Sequence, residues 1–196
     1  MLLYARLFKR LLDITCSIIA LPVLLIVLIP VVILIKLNDN GPIFYNSIRL
    51  GKNKVPFKMF KFRTMKVNAP DIRLPDGSTY NSQNDSRVTR IGKVIRELSI
   101  DELPQIINVL IGNMSLVGPR PDVPNSDVFE PEFDIVFTVK PGITGYNQAY
   151  YRNESSRIEK LIHDKKYVES LSFWMDLKII FNTVLIIFKK GGVYKS

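Results

Sequence analysis

The hydrophobic and polar positions divide the chain into two unequal parts. From Ile14 to Ile35 the sequence contains no charged residue, and apolar side chains occupy most positions. A helix rises about 1.5 Å per residue, so this run is long enough to cross the roughly 30 Å hydrocarbon core of a bilayer. The rest of the chain alternates short apolar segments with charged and turn-forming residues. The pattern predicts a membrane helix over residues 1–37 and a folded domain over residues 38–196.

Two features of the apolar run favour a bent, re-entrant helix over a straight span. Pro22 and Pro30 interrupt the run, and each removes a backbone hydrogen bond and favours a kink. Basic residues flank both ends, Lys9 and Arg10 before and Lys36 after, and positive charge prefers the cytoplasm. We therefore expect the helix to enter and leave the same leaflet. A cleaved signal peptide is the alternative, but no small-residue cleavage site follows the run.

The domain that follows is predicted to be α+β and mainly helical. Residues 43–45 and 57–62 are predicted strands of a small β-hairpin, because a turn signal separates them. Helical patterns follow, over residues 88–98, 99–110, 156–170 and 171–188. The last of these is amphipathic and contains Trp174, which favours a C-terminal helix lying in the membrane interface. A helix of the domain core is the alternative interpretation.

Two adjacent carboxylates, Asp101 and Glu102, stand at the start of the second of these helical patterns. Ser99 lies three residues before Glu102, which is the spacing of a capping box, so the simplest interpretation is a capped helix. The dipole of such a helix would keep Asp101 ionised. Its apolar face is predicted to include Ile107, whereas Gln105 and Asn108 are predicted to form a polar stripe.

Net charge points to an anionic partner. It is +9, which is typical of proteins that bind nucleic acid, anionic membranes or phosphorylated substrates. Arg120 is held between two prolines, and a rigidly presented guanidinium suits phosphate recognition. A second turn contains Pro141 and Gly142, where a glycine lets backbone N–H groups approach a phosphate closely. These two turns and the carboxylate pair predict a phosphate-handling site.

Other classes of site and partner are less consistent with the composition. The single histidine, His163, excludes a metal site with two His ligands, and the single cysteine, Cys16, excludes an internal disulfide. A membrane-tethered nucleic-acid binder would fit the net charge. It would also interleave aromatic with basic residues for stacking, whereas the aromatic residues here lie mostly in apolar runs. We therefore expect no nucleic-acid partner.

Several motifs occur in a fixed order along the chain. They are Lys9-Arg10 with Asp13, Lys61–Met65, Arg96 with Ser99–Gln105, Asn108–Leu110, Gly112–Ser115, Val117–Pro121, Pro141–Gly145 and Asp176–Ile179. Together they resemble the bacterial sugar transferases of the monotopic phosphoglycosyl transferase family, in its minimal single-domain form. The resemblance extends over about residues 6–190.

The resemblance implies an enzyme at the cytoplasmic face of the bacterial inner membrane. It would transfer a sugar-1-phosphate from a UDP-sugar to undecaprenyl phosphate, release UMP and require Mg²⁺. Asp101 would be the nucleophile that forms an aspartyl-phosphosugar intermediate, Glu102 would help to hold the metal, and Arg96 would complete the catalytic group. The substrate-binding residues implied by the resemblance are Lys61, Arg63, Arg120, Pro121, Pro141, Gly142 and Asp164.

One departure from the family pattern concerns the membrane helix. The family's helix usually breaks at a Ser-Pro pair, and Ile26 occupies the position of that proline. Pro22 and Pro30 lie one turn to either side, so we expect the bend to be shifted or shared.

A membrane-bound, metal-dependent nucleotide-sugar phosphohydrolase is the alternative function. Dependence of UMP release on the lipid acceptor distinguishes the two.

Overall fold

The computed structural model describes residues 8–74, 84–124, 131–151 and 155–188, together with residues 4, 80 and 82. The α-helices in this part of the chain are α1 (Lys9–Asp39), α2 (Arg90–Glu97), α3 (Gln105–Ile111), α4 (Tyr146–Tyr150), α5 (Arg157–Glu169) and α6 (Phe173–Phe188). The strands are β1 (Ser47–Leu50), β2 (Pro56–Met59), β3 (Ser115–Val117) and β4 (Gly142–Thr144). The predicted α+β, mainly helical fold is confirmed.

Helix α1 is a single helix of 31 residues that contains Pro22 and Pro30. Within the described residues it is the one helix long and apolar enough to cross a membrane. Its buried residues follow one face, and they are Asp13, Ser17, Leu24, Val31 and Ile35. Large apolar side chains on its other faces are exposed, as expected for a helix in contact with lipid. The re-entrant course of this helix stays a prediction.

Polar contacts fasten the first turns of α1 to the rest of the protein. The carboxylate of Asp13 accepts hydrogen bonds from the Ser115 hydroxyl at 3.0 Å and from the Leu116 amide at 2.9 Å. The guanidinium of Arg10 donates to two carbonyls in the last turn of α3. A cation at a helix C-terminus satisfies free carbonyls and complements the helix dipole. Helix α1 is therefore joined to the elements around the candidate site.

Strands β1 and β2 pair antiparallel and confirm the predicted hairpin. The pairing includes residues 43–45, where Phe44 faces Phe62 in the same register, and it continues beyond them through β1. Arg49 faces Phe57 across the ladder, and Ser47 faces Met59. Phe57 and Met59 are buried, at 8% and 4% exposure, so all four residues lie on the inner face of the hairpin.

The segment around the carboxylate pair differs from its prediction. Ser99 adopts a left-handed conformation with φ of 55°, and its side chain caps nothing. Ile100–Glu102 forms a single 3₁₀ turn, and α3 begins only after Pro104. Because Pro104 has no N–H to donate to the carbonyl of Ile100, that carbonyl accepts from the Leu103 amide instead. The predicted capping box is therefore wrong.

The polar stripe predicted for α3 is also wrong. Gln105 and Asn108 are buried, at 2% and 0% exposure, whereas Ile107 from the predicted apolar face is 37% exposed. The Asn108 side chain accepts a hydrogen bond from the Phe60 amide at 2.9 Å and donates one to the Lys58 carbonyl at 2.8 Å. The buried side-chain amide thus bonds two backbone groups that a neighbouring strand would otherwise pair, and it ties α3 to the segment around β2.

Strands β3 and β4 form a parallel pair where two free turns were predicted. Ser115 faces Gly142 in this pair, and the Gly142 amide donates to the carbonyl of Pro119 at 2.9 Å. A Cβ atom at Gly142 would lie 2.1 Å from the nitrogen of Gly118, so glycine allows the two backbones to approach. The Gly142 N–H is engaged within the protein, and the contact of this turn with a phosphate stays a prediction.

Helix α6 has features of both alternatives predicted for it, a helix of the domain core and a helix in the membrane interface. Ile179 and Asp176 on one side are buried. The exposed large apolar residues on the helix are Phe173, Trp174, Leu177, Ile180, Phe181, Val184 and Leu185. A helix that packs on the core by one face and leaves an extended apolar face uncovered fits a location at the membrane interface.

Replacing Asp13 with alanine is expected to lower the free energy of unfolding by about 1–3 kcal/mol, because the Leu116 amide loses its buried acceptor. Ser17 is the matched control, since it lies one turn later on the same buried face and its hydroxyl has no hydrogen-bond partner among the described residues. Ser17→Ala should change stability by less than about 0.5 kcal/mol. Thermal unfolding in detergent measures both, and equal destabilisation would contradict the assignment.

Candidate active site

Residues 61–64 run beside the 3₁₀ turn that carries Asp101 and Glu102. The Phe62 amide donates a hydrogen bond to the Asp101 carbonyl at 3.1 Å. The neighbouring Lys61 ammonium lies 2.8 Å from Glu102 Oε1 and 4.0 Å from Asp101 Oδ2. One cation therefore serves both carboxylates, and a backbone hydrogen bond sets its position.

Arg96, in the last turn of α2, completes the cationic side of the pair. Its Nε donates to the Thr64 hydroxyl at 2.8 Å, so it is fixed to the same segment as Lys61. Helix α2 packs directly on that segment, since a Cβ atom at Gly92 would lie 1.9 Å from the Thr64 carbonyl oxygen. Only glycine allows this contact.

The two carboxyl groups have opposite pKa shifts. Burial raises the pKa of Asp101 to about 6, Glu102 adds to the increase, and the charges of Lys61 and Arg96 oppose it. Burial also disfavours ionised Glu102, but the charges of Lys61 and Arg120 outweigh it and hold the pKa of Glu102 below its usual value. Both groups are ionised at neutral pH, and Asp101 is the more basic.

The reason given for the ionisation of Asp101 from the sequence does not hold. Asp101 lies in a 3₁₀ turn before α3, so no α-helix begins at this residue to favour its charge. Its pKa is raised rather than lowered. The carboxylate is consequently a stronger base and nucleophile than an exposed aspartate, while it is still ionised near pH 7.

Arg120 lies in a loop that several elements hold in place. Asp122, two residues further on, accepts a hydrogen bond on its carbonyl from the Leu50 amide of β1 at 2.8 Å. The Asp122 carboxylate also pairs with Arg157 of α5 at 3.4 Å. Pro121 lies between Arg120 and this anchored residue. The Arg120 side chain is exposed. In the described part of the chain its guanidinium has no hydrogen-bond or ion-pair partner.

Asp164 on α5 supports this loop from inside the protein. It is 3% exposed, and burial raises its pKa to about 8, while the amide and the charge of Arg120 oppose the increase. Its Oδ1 has no hydrogen-bond partner among the residues described. Asp164 is therefore mostly protonated at neutral pH, and it lies under the Arg120 loop without cancelling the guanidinium charge.

Three of the predicted site residues do not lie against the carboxylate pair. The guanidinium of Arg63 pairs with Asp39 at the end of α1, at 2.5 Å, and also donates to the Pro42 carbonyl. Arg63 thus anchors the C-terminal end of α1. Pro141 and Gly142 belong to the β3–β4 pairing and support the Arg120 loop through Pro119, as described above.

The structure brings Arg49, which the sequence did not single out, near the Arg120 loop. Its neighbour Leu50 is bonded to the Arg120 loop, and the charges of Arg49 and Arg120 act on each other. The hydrophobic periodicity could not reveal that Arg49 lies in a strand beside the Arg120 loop, because the first strand of the hairpin was predicted to end at residue 45.

The carboxylate pair fits a Mg²⁺ ion that a substrate helps to hold. Among the described residues, no group of three or more His, Cys, Asp and Glu side chains is arranged to hold a metal ion. Proteins commonly bind Mg²⁺ through one or two carboxylates, with substrate phosphates and water as the other ligands. Glu102 and the adjacent Asp101 offer that donor set, so the predicted role of Glu102 is chemically consistent.

Comparison with known proteins identifies the family. The sequence model of the family described as "Bacterial sugar transferase" matches residues 4–190. The chain therefore belongs to the bacterial sugar transferase family, and the resemblance inferred from its motifs is confirmed.

Similar proteins carry names that describe sugar phosphate transfer. The chain is 38% identical to the UDP-N-acetylgalactosamine-undecaprenyl-phosphate N-acetylgalactosaminephosphotransferase of Aeromonas hydrophila, over 94% of this chain and 44% of that protein. It is 39% identical to the UDP-glucose:undecaprenyl-phosphate glucose-1-phosphate transferase of Escherichia coli (strain K12), over 97% of this chain and 41% of that protein. The chain thus spans less than half the length of these two relatives. The exopolysaccharide production protein ExoY of Rhizobium meliloti (strain 1021) is 35% identical, over 95% of this chain and 88% of that protein.

The opposite pKa shifts predict that neutralising the two carboxylates changes the free energy of unfolding in opposite directions. The folded state binds the Asp101 proton more tightly than the unfolded state, so ionised Asp101 lowers stability at pH 7.5. Asp101→Asn should therefore raise the free energy of unfolding by about 1–3 kcal/mol, and the gain should shrink between about pH 6 and about pH 4.

Glu102→Gln is the matched comparison and should lower the free energy of unfolding at pH 7.5. Folding favours ionised Glu102, so its contribution is present at neutral pH and is lost as the pH falls. Thermal unfolding at several pH values measures both variants. A destabilising Asp101→Asn at pH 7.5 would contradict the burial-raised pKa.

Proposed function

We propose that the protein transfers a sugar-1-phosphate from a UDP-sugar to undecaprenyl phosphate and releases UMP. The observation that carries this proposal is the basic but ionised Asp101 beside Lys61, Arg96 and the Arg120 loop. Two relatives that match nearly the whole chain are named for this reaction with different sugars. The reaction would be the first membrane step of a bacterial surface glycan pathway.

In the first step, a carboxylate oxygen of Asp101 attacks the β-phosphorus of the UDP-sugar. A new O–P bond forms, the bond from that phosphorus to the bridging oxygen breaks, and UMP leaves with the electron pair. Attack by an anion on a pyrophosphate is opposed by charge, so Lys61, Arg96 and Arg120 offset the negative charge that develops. No general base is needed, because Asp101 is already ionised near pH 7.

In the second step, an oxygen of undecaprenyl phosphate attacks the same phosphorus. The bond to Asp101 breaks, the carboxylate is regenerated, and the sugar diphosphate lipid is released. The covalent aspartyl-phosphosugar intermediate divides one difficult displacement into two easier ones. A bound Mg²⁺ would add neutralisation of phosphate charge, with Glu102 as the protein ligand in addition to substrate oxygens.

The membrane arrangement proposed for the enzyme is monotopic, at the cytoplasmic face of the inner membrane. A straight helix of 31 residues would measure roughly 46 Å, which exceeds the hydrocarbon core of a bilayer. Basic residues lie at both ends of α1, and a bend near Pro22 or Pro30 would keep both ends on the cytoplasmic side. The exposed apolar face of α6 would lie in the same interface.

The activity is tested by UMP release from a panel of UDP-sugars with the full chain in detergent. Asp101→Asn should lower the rate by at least about a thousandfold, since the nucleophile is lost. Asp134→Asn is the matched control, because Asp134 is an exposed carboxylate that pairs with Lys54 away from the site. Full activity of Asp101→Asn would contradict the proposal. Without undecaprenyl phosphate the proposed enzyme should release at most one UMP per protein, so continued turnover without the lipid would favour the phosphohydrolase.

The pH dependence of UMP release should report the ionisation of Asp101. The rate should fall with a one-proton slope below about pH 6, as the nucleophile becomes protonated. Lys61→Met removes a charge that lowers this pKa, so its acid limb should move to higher pH. Arg90→Gln removes an exposed charge at the start of α2 and should leave the limb unchanged. An identical acid limb for Lys61→Met and the unchanged enzyme would contradict the role of Lys61.

A further inference from the structure

Arg49 places a guanidinium on the inner face of the β-hairpin. It lies opposite Phe57, whose side chain is 8% exposed. Its side chain makes one hydrogen bond among the described residues, from Nε to the Ser47 hydroxyl at 3.3 Å, and no ion pair. A charge taken out of water is unfavourable unless a counter-ion compensates it.

The buried guanidiniums elsewhere in the described part of the chain each have a carboxylate partner. Arg63 is 7% exposed and pairs with Asp39, and Arg87 is 6% exposed and pairs with Asp85. Arg49 is half-buried, and it differs from both because a hydroxyl rather than a carboxylate receives its hydrogen bond. The charge of Asp122 acts on Arg49, but Asp122 pairs with Arg157 at 3.4 Å, so no described carboxylate forms an ion pair with Arg49 and its guanidinium can take an anionic ligand.

The charge of a second guanidinium without an ion pair among the described residues, that of Arg120, acts on Arg49. The Leu50 amide donates to the Asp122 carbonyl at 2.8 Å, so β1 is fixed against the Arg120 loop. Burial and the charges of Arg120 and Arg73 together lower the pKa of Arg49 to about 10, and the charge of Asp122 opposes the decrease. Arg49 therefore stays protonated at neutral pH, and an anion held by Arg49 and Arg120 would relieve the repulsion between them.

Contacts connect the nucleophile with the hairpin. Lys61 lies 4.0 Å from Asp101 and 2.8 Å from Glu102, the charge of Arg120 acts on Glu102, and the Arg120 loop is bonded to β1. In an in-line displacement, the leaving oxygen lies on the side of the phosphorus opposite the nucleophile. The leaving phosphate is therefore expected beyond Lys61, towards Arg120 and Arg49.

We propose that Arg49 and Arg120 together bind the phosphate of the nucleoside monophosphate that leaves. This inference rests on the proposed function and assigns Arg49 as a substrate-binding residue for that reaction. The pair would hold the nucleotide before displacement and stabilise the negative charge on the departing phosphate. The lipid phosphate, which reacts after the nucleotide has left, would not depend on Arg49.

The test measures binding of UMP to the full chain in detergent by titration calorimetry, together with the KM for each substrate. Arg49→Gln should weaken UMP binding by about tenfold to a hundredfold and raise the KM for the UDP-sugar, through the loss of a charge-assisted contact. The KM for undecaprenyl phosphate should not change. Lys58→Gln is the matched control, because Lys58 is an exposed cation on the outer face of the same hairpin, and it should bind UMP normally.

A second variant keeps the inference testable if Arg49→Gln does not fold. Arg49→Lys keeps the charge but loses the paired donors of the guanidinium, and it should weaken UMP binding several-fold. Unchanged UMP affinity in a folded Arg49 variant would overturn the inference, as would an effect on the lipid substrate alone. Absence of UMP release by the unchanged protein would refute the proposed function instead, and UMP binding would still report on Arg49.

Discussion

The arrangement of the candidate site depends on one ammonium group shared by two adjacent carboxylates. Lys61 lies close to both Asp101 and Glu102, but at hydrogen-bond distance only from Glu102. Two carboxylates on one short turn repel each other, and burial increases the penalty for ionising either. Because the cation favours one of them, their pKa values separate. Glu102 becomes the stable anion and Asp101 the more basic one, which is the division expected between a metal ligand and a nucleophile.

The position of Lys61 depends in turn on contacts that reach across the whole domain. The Phe62 amide fixes the segment to Asp101, and Asn108 continues the same segment's pairing into α3. Arg10 caps the end of α3 from the first turns of α1, and Lys9 pairs with the buried Asp176 of α6. The two helices with exposed apolar faces are thus joined to the elements that hold the carboxylates. These contacts would keep the polar site in register with a lipid surface in the proposed membrane arrangement.

The sequence predicted those features that depend on local pattern. The long apolar run became α1, the alternating segments became a hairpin, and the amphipathic C-terminal pattern became α6. The prediction failed where the environment of a residue depends on a partner that is distant in the sequence. Nothing in the local pattern shows that Asn108 pairs with a strand or that Asp39 takes the guanidinium of Arg63. The carboxylate pair was found by its motif, but its pKa shift could not be predicted, because burial depends on the packing of distant elements.

The role of Asp101 as the nucleophile is tested most directly by intact-protein mass spectrometry. The full chain is incubated with a UDP-sugar that it uses, without undecaprenyl phosphate. The proposed mechanism predicts stoichiometric UMP release, a mass increase of one sugar phosphate on a peptide containing Asp101, and loss of that adduct when the lipid phosphate is added. Asp101→Asn should show no adduct. An active enzyme that never forms the adduct, or forms it on another residue, would contradict the assignment.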